Sequence, residues 1–165
     1  MNKLIIDNSK FQSLVAIICR DISNDNWKPD YIVGISRGGL LPAVMISHYL
    51  NIPMKPLQVS LRDHEGCVSD LGMAEDAFDG KNILIVDDIN DQGNTLNWIM
   101  QDWPSGCYPY DERWDNIWGS NVRFAVVVDN LSSQCSKGMN YWGMEVNKAE
   151  NDVWIEFPYE EWWTK

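Results

Sequence analysis

Residues 83–95 read Ile-Leu-Ile-Val-Asp-Asp-Ile-Asn-Asp-Gln-Gly-Asn-Thr. Four apolar residues run into two adjacent acids, then an Asp-x-Gly-x-Thr turn, then a helix-compatible stretch. This order narrows the fold sharply. A buried strand that leads through a tight loop into a helix belongs to an α/β layer, where ligands gather beyond the carboxyl ends of the strands. Each part suits that place. Gly93 permits a positive φ and close approach of backbone to a ligand. Successive N–H groups ahead of a helix N-terminus form an anion site, and Thr95 adds a hydroxyl donor. Asp87 and Asp88 would repel a bare phosphate, but they accept from sugar hydroxyls or hold magnesium. Paired acids alone can simply solvate a loop. Combined with the turn and the helix start, they point to a phosphate cradle beside a diol clamp.

The flanking pattern agrees. Residues 8–22 place Phe11, Leu14, Val15, Ile18 and Ile22 at helical spacing, with Asp7 or Ser9 as cap. Residues 31–36 form an apolar strand, Arg37, Gly38 and Gly39 a loop, residues 40–50 a helix and residues 54–61 a second strand. Strand, helix, strand is the signature of a parallel unit. Residues 82–86 make a third strand, residues 87–93 a loop, and a helix begins over 94–100. Residues 122–128 are continuously apolar after Arg123, as in a strand covered on both faces. Residues 62–81 read as a long polar loop, and loops of that length tend to be functional. Residues 101–120 carry Trp103, Tyr108, Tyr110, Trp114 and Trp118 among prolines and glycines. They read as an inserted aromatic-rich segment, packed on the surface or at a subunit contact. Residues 129–152 read as mostly loop, and residues 153–157 as a short strand. The expectation is a single domain over residues 1–165: a parallel sheet flanked by helices, with a small hood and a C-terminal tail region.

Charge excludes some functions. The net charge of −11 disfavours nucleic acid, whose phosphates need a basic face. No apolar run approaches the roughly 18–20 residues of a membrane helix, and the first residues lack the apolar core of a secretion signal. A cytoplasmic protein without a membrane partner is expected. The four cysteines form no CxxC pair, so neither a disulfide framework nor a structural zinc site is expected.

Residues 83–95 closely resemble the motif with which type I phosphoribosyltransferases bind PRPP (5-phosphoribosyl 1-diphosphate). The resemblance implies that Asp87 and Asp88 hold the ribose hydroxyls, Asp88 also lying near Mg2+. It implies that Asp91, Gln92, Gly93, Asn94 and Thr95 bind the 5-phosphate. In purine-using members the aspartate at the Asp91 position is the catalytic base near N7. The sequence departs from the family at Gln92, usually Thr, and at Asn94, commonly Lys or Gly. Residues 33–39 look like the pyrophosphate loop of the family, with Ser36, Arg37, Gly38 and Gly39 as contacts and an unusual peptide at Ser36–Arg37. Residues 62–81 occupy the place of the mobile catalytic hood, and Arg62 is a further candidate for pyrophosphate. Residues 152–158, Asp-Val-Trp-Ile-Glu-Phe-Pro, resemble the C-terminal segment of the xanthine–guanine and hypoxanthine enzymes. There an aromatic at the Trp154 position stacks on the purine, and backbone near Ile155 reads its edge.

One departure bears on the acceptor. Members that use 6-oxopurines carry a lysine at the end of the fourth strand; here the position is Asp129, or Asn130 one residue on. An ionised aspartate only accepts, so Asp129 would disfavour a 6-oxo group. The expected activity is transfer of the phosphoribosyl group from PRPP to a purine-like base, with Mg2+ as cofactor, in a homo-dimer or homo-tetramer. A non-catalytic PRPP-binding regulator, and a transferase for a base other than a 6-oxopurine, stay open at this point.

Overall fold

The computed structural model describes residues 2–61 and 66–165. Its frame is a six-stranded sheet in the order β4-β3-β2-β5-β6-β7. The strands are β2 (Tyr31–Ser36), β3 (Met54–Ser60), β4 (Gly66–Cys67), β5 (Ile83–Asn90), β6 (Val122–Asn130) and β7 (Tyr141–Val146). β2, β3, β5, β6 and β7 pair in parallel, and short β4 adds antiparallel to β3. The helices are α1 (Asn8–Asn24), α2 (Leu40–Leu50), α3 (Leu71–Phe78) and α4 (Asn94–Gly106).

Strand periodicity distributes the core. Ile83 and Ile85 of β5 pack into one cluster with Ala74 of α3 and Ile99 and Trp103 of α4. Leu84 and Val86 enter a second cluster with Ile18 of α1 and Ile46 of α2. Both faces are therefore covered, as a parallel sheet requires. Among the described residues no helix is long and apolar enough to cross a membrane, and the four cysteines are free thiols.

The strand order sets the site. From β2 the chain steps outward to β3; from β5 it steps the other way to β6 and β7. β2 and β5 are neighbours, so the loops at their carboxyl ends flank a topological switch point, the crevice where α/β sheets bind ligands. The two loops are those singled out by sequence, residues 36–39 and 91–95.

Several expectations about elements are corrected. Residues 62–81 are not one long loop: β4 and α3 occupy much of them. Asp70 caps α3 by accepting from the N–H of Met73 at 2.9 Å, and Met73, Ala74, Ala77 and Phe78 are buried. Those apolar positions have helical spacing, hidden in the sequence by intervening acids and glycines. Arg62 lies outside the described residues. β5 does not stop at Val86, because β6 supplies partners as far as Ile89–Val128 and Asn90–Asp129. β7 fills part of the supposed loop 129–152. Residues 101–106 complete α4 and put Trp103 in the core; Trp114, whose indole donates to the Cys107 carbonyl at 2.8 Å, joins it there.

The ends of the chain meet. β1 (Asn2–Ile5) pairs in parallel with β8 (Val153–Glu156) in a separate two-stranded sheet, with Leu4 opposite Ile155. Lys3 and Lys165 both pair with the Glu156 carboxylate. β1 was not anticipated, since its strand partner lies at the far end of the sequence. The small sheet is the tail region expected at the C-terminus, and it brings Trp154 and Tyr159 over the crevice.

Candidate active site

The β5 carboxyl end presents Asp87 and Asp88, both partly buried, to a cavity of about 390 Å³. The N–H of Asp88 donates to Asp87 Oδ1 at 2.9 Å, and the N–H of Ile89 donates to Asp88 Oδ1 at 2.7 Å. The Tyr159 hydroxyl donates to Asp88 Oδ2 at 2.6 Å. Burial, reinforced by the charge of Asp88, pushes the Tyr159 phenol far above its ordinary range, so it stays a donor. These contacts fix the two carboxylates, and each carboxylate retains lone pairs for a ligand.

Gly93 then turns the chain with φ 86° and ψ 0°, and no side chain caps α4 behind it. The first N–H groups of a helix have no intrahelical partner, and the helix dipole favours an anion there. Gln92, Asn94 and Thr95 line the same cavity. The turn is braced from behind. Gln134 N–H donates to the Gln92 carbonyl at 3.1 Å, and Asn97 bonds both the Gln134 carbonyl and the Ser136 N–H. A Cβ at Gly93 would stand 2.3 Å from the Cys135 nitrogen.

Across the crevice, Ser36, Arg37 and Gly38 form the opposite wall. The Ser36–Arg37 peptide is cis, at the position where the resemblance implied an unusual peptide. A Cβ at Gly38 would sit 2.0 Å from Asp88 Oδ2, and one at Gly39 would sit 2.4 Å from the Val86 carbonyl. These glycines let the two loops touch. Arg37 is exposed and faces both this cavity and the small-sheet side.

A second cavity of about 770 Å³ adjoins the first, with Asp91, Gln92 and Asn94 on the shared wall. Trp154, 41% exposed, lines it from β8. Ile155 points the other way: its side chain is buried in the core cluster under the small sheet. Asp129 is placed outside this cavity. Its Oδ1 accepts from Asn90 Nδ2 at 2.9 Å, within a network that continues through Ser133 to the bracing loop. The Asp129 carboxylate is thus engaged through Oδ1 on the β5 side. Asn130, one residue on, does line this cavity, and its Nδ2 donates to the Asp91 carbonyl at 2.8 Å.

Two residues at this site were missed by sequence reasoning. Lys148, in the turn after β7, forms an ion pair with Asp91 Oδ1 at 2.9 Å. Tyr159, beyond β8, holds Asp88. Neither belongs to a recognisable motif; the loss of the strand-end lysine was the one signal that another cation should be sought.

Comparisons with known proteins identify the family. The Phosphoribosyl transferase domain family matches residues 2–161. A xanthine-guanine phosphoribosyltransferase of Idiomarina loihiensis is 31% identical over 133 residues, covering 78% of this chain and 70% of the relative. A hypoxanthine-guanine phosphoribosyltransferase of Schizosaccharomyces pombe is 31% identical over 169 residues, covering 82% and 79%. Among solved structures, a purine phosphoribosyltransferase of Pyrococcus horikoshii superposes with a TM-score of 0.66 at 25% identity, covering 98% of this chain and 96% of that one. The chain belongs to the type I phosphoribosyltransferases and is an enzyme of that class.

Proposed function

We propose that the protein transfers the 5-phosphoribosyl group of PRPP to a purine base, releasing pyrophosphate and giving a nucleoside 5-monophosphate. One observation carries the reading. At the β2/β5 switch point an acid pair, an uncapped helix N-terminus and an arginine loop share a cavity that opens onto a second, tryptophan-lined one.

The assignment of parts follows charge. The 5-phosphate takes the N–H groups around Gly93 and the Thr95 hydroxyl. The ribose hydroxyls donate to Asp87 and Asp88. Pyrophosphate lies toward Ser36, Arg37 and Gly38, where a guanidinium can engage two oxygens at once. The base stacks on Trp154. Its N9 forms the bond to C1 of the ribose as the C1–O bond to pyrophosphate breaks, the electron pair leaving with pyrophosphate. The N7 proton passes to Asp91, a general base.

The donor set fits magnesium. No group of three His, Cys, Asp or Glu side chains that could hold a metal exists among the described residues. Mg2+ is commonly bound through one or two carboxylates together with substrate oxygens, and Asp88, with Asp87 beside it, supplies those. When bound, the ion would offset charge on the departing pyrophosphate. A homo-dimer or homo-tetramer acting in the cytoplasm on small molecules completes the reading.

The test is pyrophosphate release from PRPP with magnesium, across adenine, guanine, hypoxanthine, xanthine and uracil, for wild type and Asp91→Ala. Release with a purine, reduced about 10²–10⁴-fold in Asp91→Ala, is expected. PRPP binding without release for any base would overturn the reading in favour of a non-catalytic PRPP-binding regulator.

A further inference from the structure

We infer that Lys148, from the turn after β7, is the specificity-determining residue of the base cavity, donating to an exocyclic oxygen on the carbon next to the N7 edge of the purine. The inference rests on the proposed transfer to a purine and adds the group that chooses among purines.

Three observations converge. First, Lys148 Nζ lies 2.9 Å from Asp91 Oδ1, with the two side chains only 16% and 17% exposed. A lysine side chain largely buried against the candidate catalytic base is far from an ordinary surface ion pair. Second, Lys148 lines the same cavity as Trp154 and Asp91, so a ring stacked on the indole has both charged groups on its perimeter. Third, Lys148 is held there by its backbone. Its N–H donates to Asn130 Oδ1 at 3.0 Å, while Asn130 Nδ2 donates to the Asp91 carbonyl at 2.8 Å. One buried amide thus anchors both residues. The turn itself is closed by the N–H groups of Glu150 and Asn151 on the Asn147 carbonyl, at 3.2 and 3.0 Å.

The chemistry of the purine edge supplies the selectivity. A 6-oxopurine presents O6, an acceptor, beside N7; a 6-aminopurine presents an N–H donor there. An ammonium has three donors and no acceptor, and a carboxylate only accepts. With N7–H donating to Asp91, an adjacent O6 accepts from Lys148, so the base replaces the direct ion pair with two charge-assisted bonds. A 6-amino group would instead aim a donor at the ammonium and leave a charged group unmatched. Sites that discriminate by leaving their own polar groups unpaired do so strongly. The reading function thereby falls to a lysine on a different element from Asp129, whose Oδ1 accepts from Asn90.

The test compares kcat/KM for hypoxanthine, guanine and adenine in wild type, Lys148→Met and Lys148→Arg, together with KM for PRPP. Wild type should prefer the 6-oxopurines. Lys148→Met should lower their kcat/KM about 100-fold, change adenine by less than about threefold on the same grounds, and leave the PRPP KM within about twofold; Lys148→Arg should keep the preference. If Lys148→Met reduces all bases equally, the lysine only braces Asp91 and the inference falls. Should that variant not fold, Lys148→Gln, whose amide both donates and accepts, must narrow the preference, and an unchanged ratio counts against the inference. Wild-type turnover that is indifferent to Lys148 overturns this inference alone. Absence of wild-type turnover with every base overturns the proposed function and this inference with it.

Discussion

The Tyr159 hydroxyl donates to Asp88 Oδ2 at 2.6 Å and lies 3.4 Å from the Gly38 carbonyl, so one phenol joins the C-terminal segment to both walls of the crevice. Its ring stacks on Phe157 with centroids 5.6 Å apart, which fixes it independently of the hydrogen bond. Tyr159→Phe should preserve that stacking and the fold while releasing one Asp88 oxygen. Hydrogen bonds to charged groups contribute about 1.5–3 kcal/mol, and water can replace part of this. The KM for PRPP should accordingly rise roughly three- to tenfold with kcat less affected. Steady-state kinetics with PRPP varied checks this; an unchanged KM would show that Asp88 is positioned without the phenol.

The site was readable where local sequence must satisfy a local backbone requirement. Gly93 must turn with positive φ, and Gly38 and Gly39 must let two loops touch, so the glycines stand beside the acids and the arginine that use them. What escaped reading depends on partners distant in sequence. Residues 2–5 are largely exposed and show no clean alternation; they become a strand because β8 lies beside them. β7 contains Gly143, whose missing side chain admits close approach of the Val127 carbonyl and of Leu14, a packing fact with no sequence signature. Lys148 acquires a role only when the turn between β7 and β8 folds against Asp91. Asp129 shows the same dependence: the sequence left open whether it or Asn130 ends the strand, and Asn90, opposite it on β5, donates to its Oδ1.

Gly93→Ala tests the brace behind the phosphate turn. The added Cβ would meet backbone, the Cys135 nitrogen at 2.3 Å, at a φ of 86°. Alanine at such a position costs more than about 1 kcal/mol, which in a domain of this size lowers the melting temperature by at least about 2–4 °C. PRPP affinity should fall as well, because the displaced turn carries the anion-binding N–H groups. Thermal melting with and without PRPP separates the two effects: the ligand-induced shift should shrink in addition to the drop in the ligand-free melting temperature.

A cluster remote from the site should contribute stability that is lost at alkaline pH. The Tyr141 hydroxyl donates to Asp25 Oδ2 at 2.7 Å, and Arg123 Nη1 reaches both, at 3.0 Å to each. The cluster ties the end of α1 to β6 and β7. Burial and the bond to Asp25 push the Tyr141 phenol up to about 12, against about 10 for an unfolded tyrosine. The folded state therefore holds this proton more tightly. The corresponding stability is fully present below about pH 10 and is lost as pH rises toward the folded value. The same hydrogen bond holds the Asp25 carboxyl below its usual range, so its contribution is present above about pH 4 and fades as pH falls through the lowered value. Tyr141→Phe should lower stability at neutral pH through the lost hydrogen bond, yet decline less steeply than wild type between pH 10 and 11. Urea unfolding across that interval measures the slopes; parallel slopes would mean that Tyr141 ionises alike in the folded and unfolded chain.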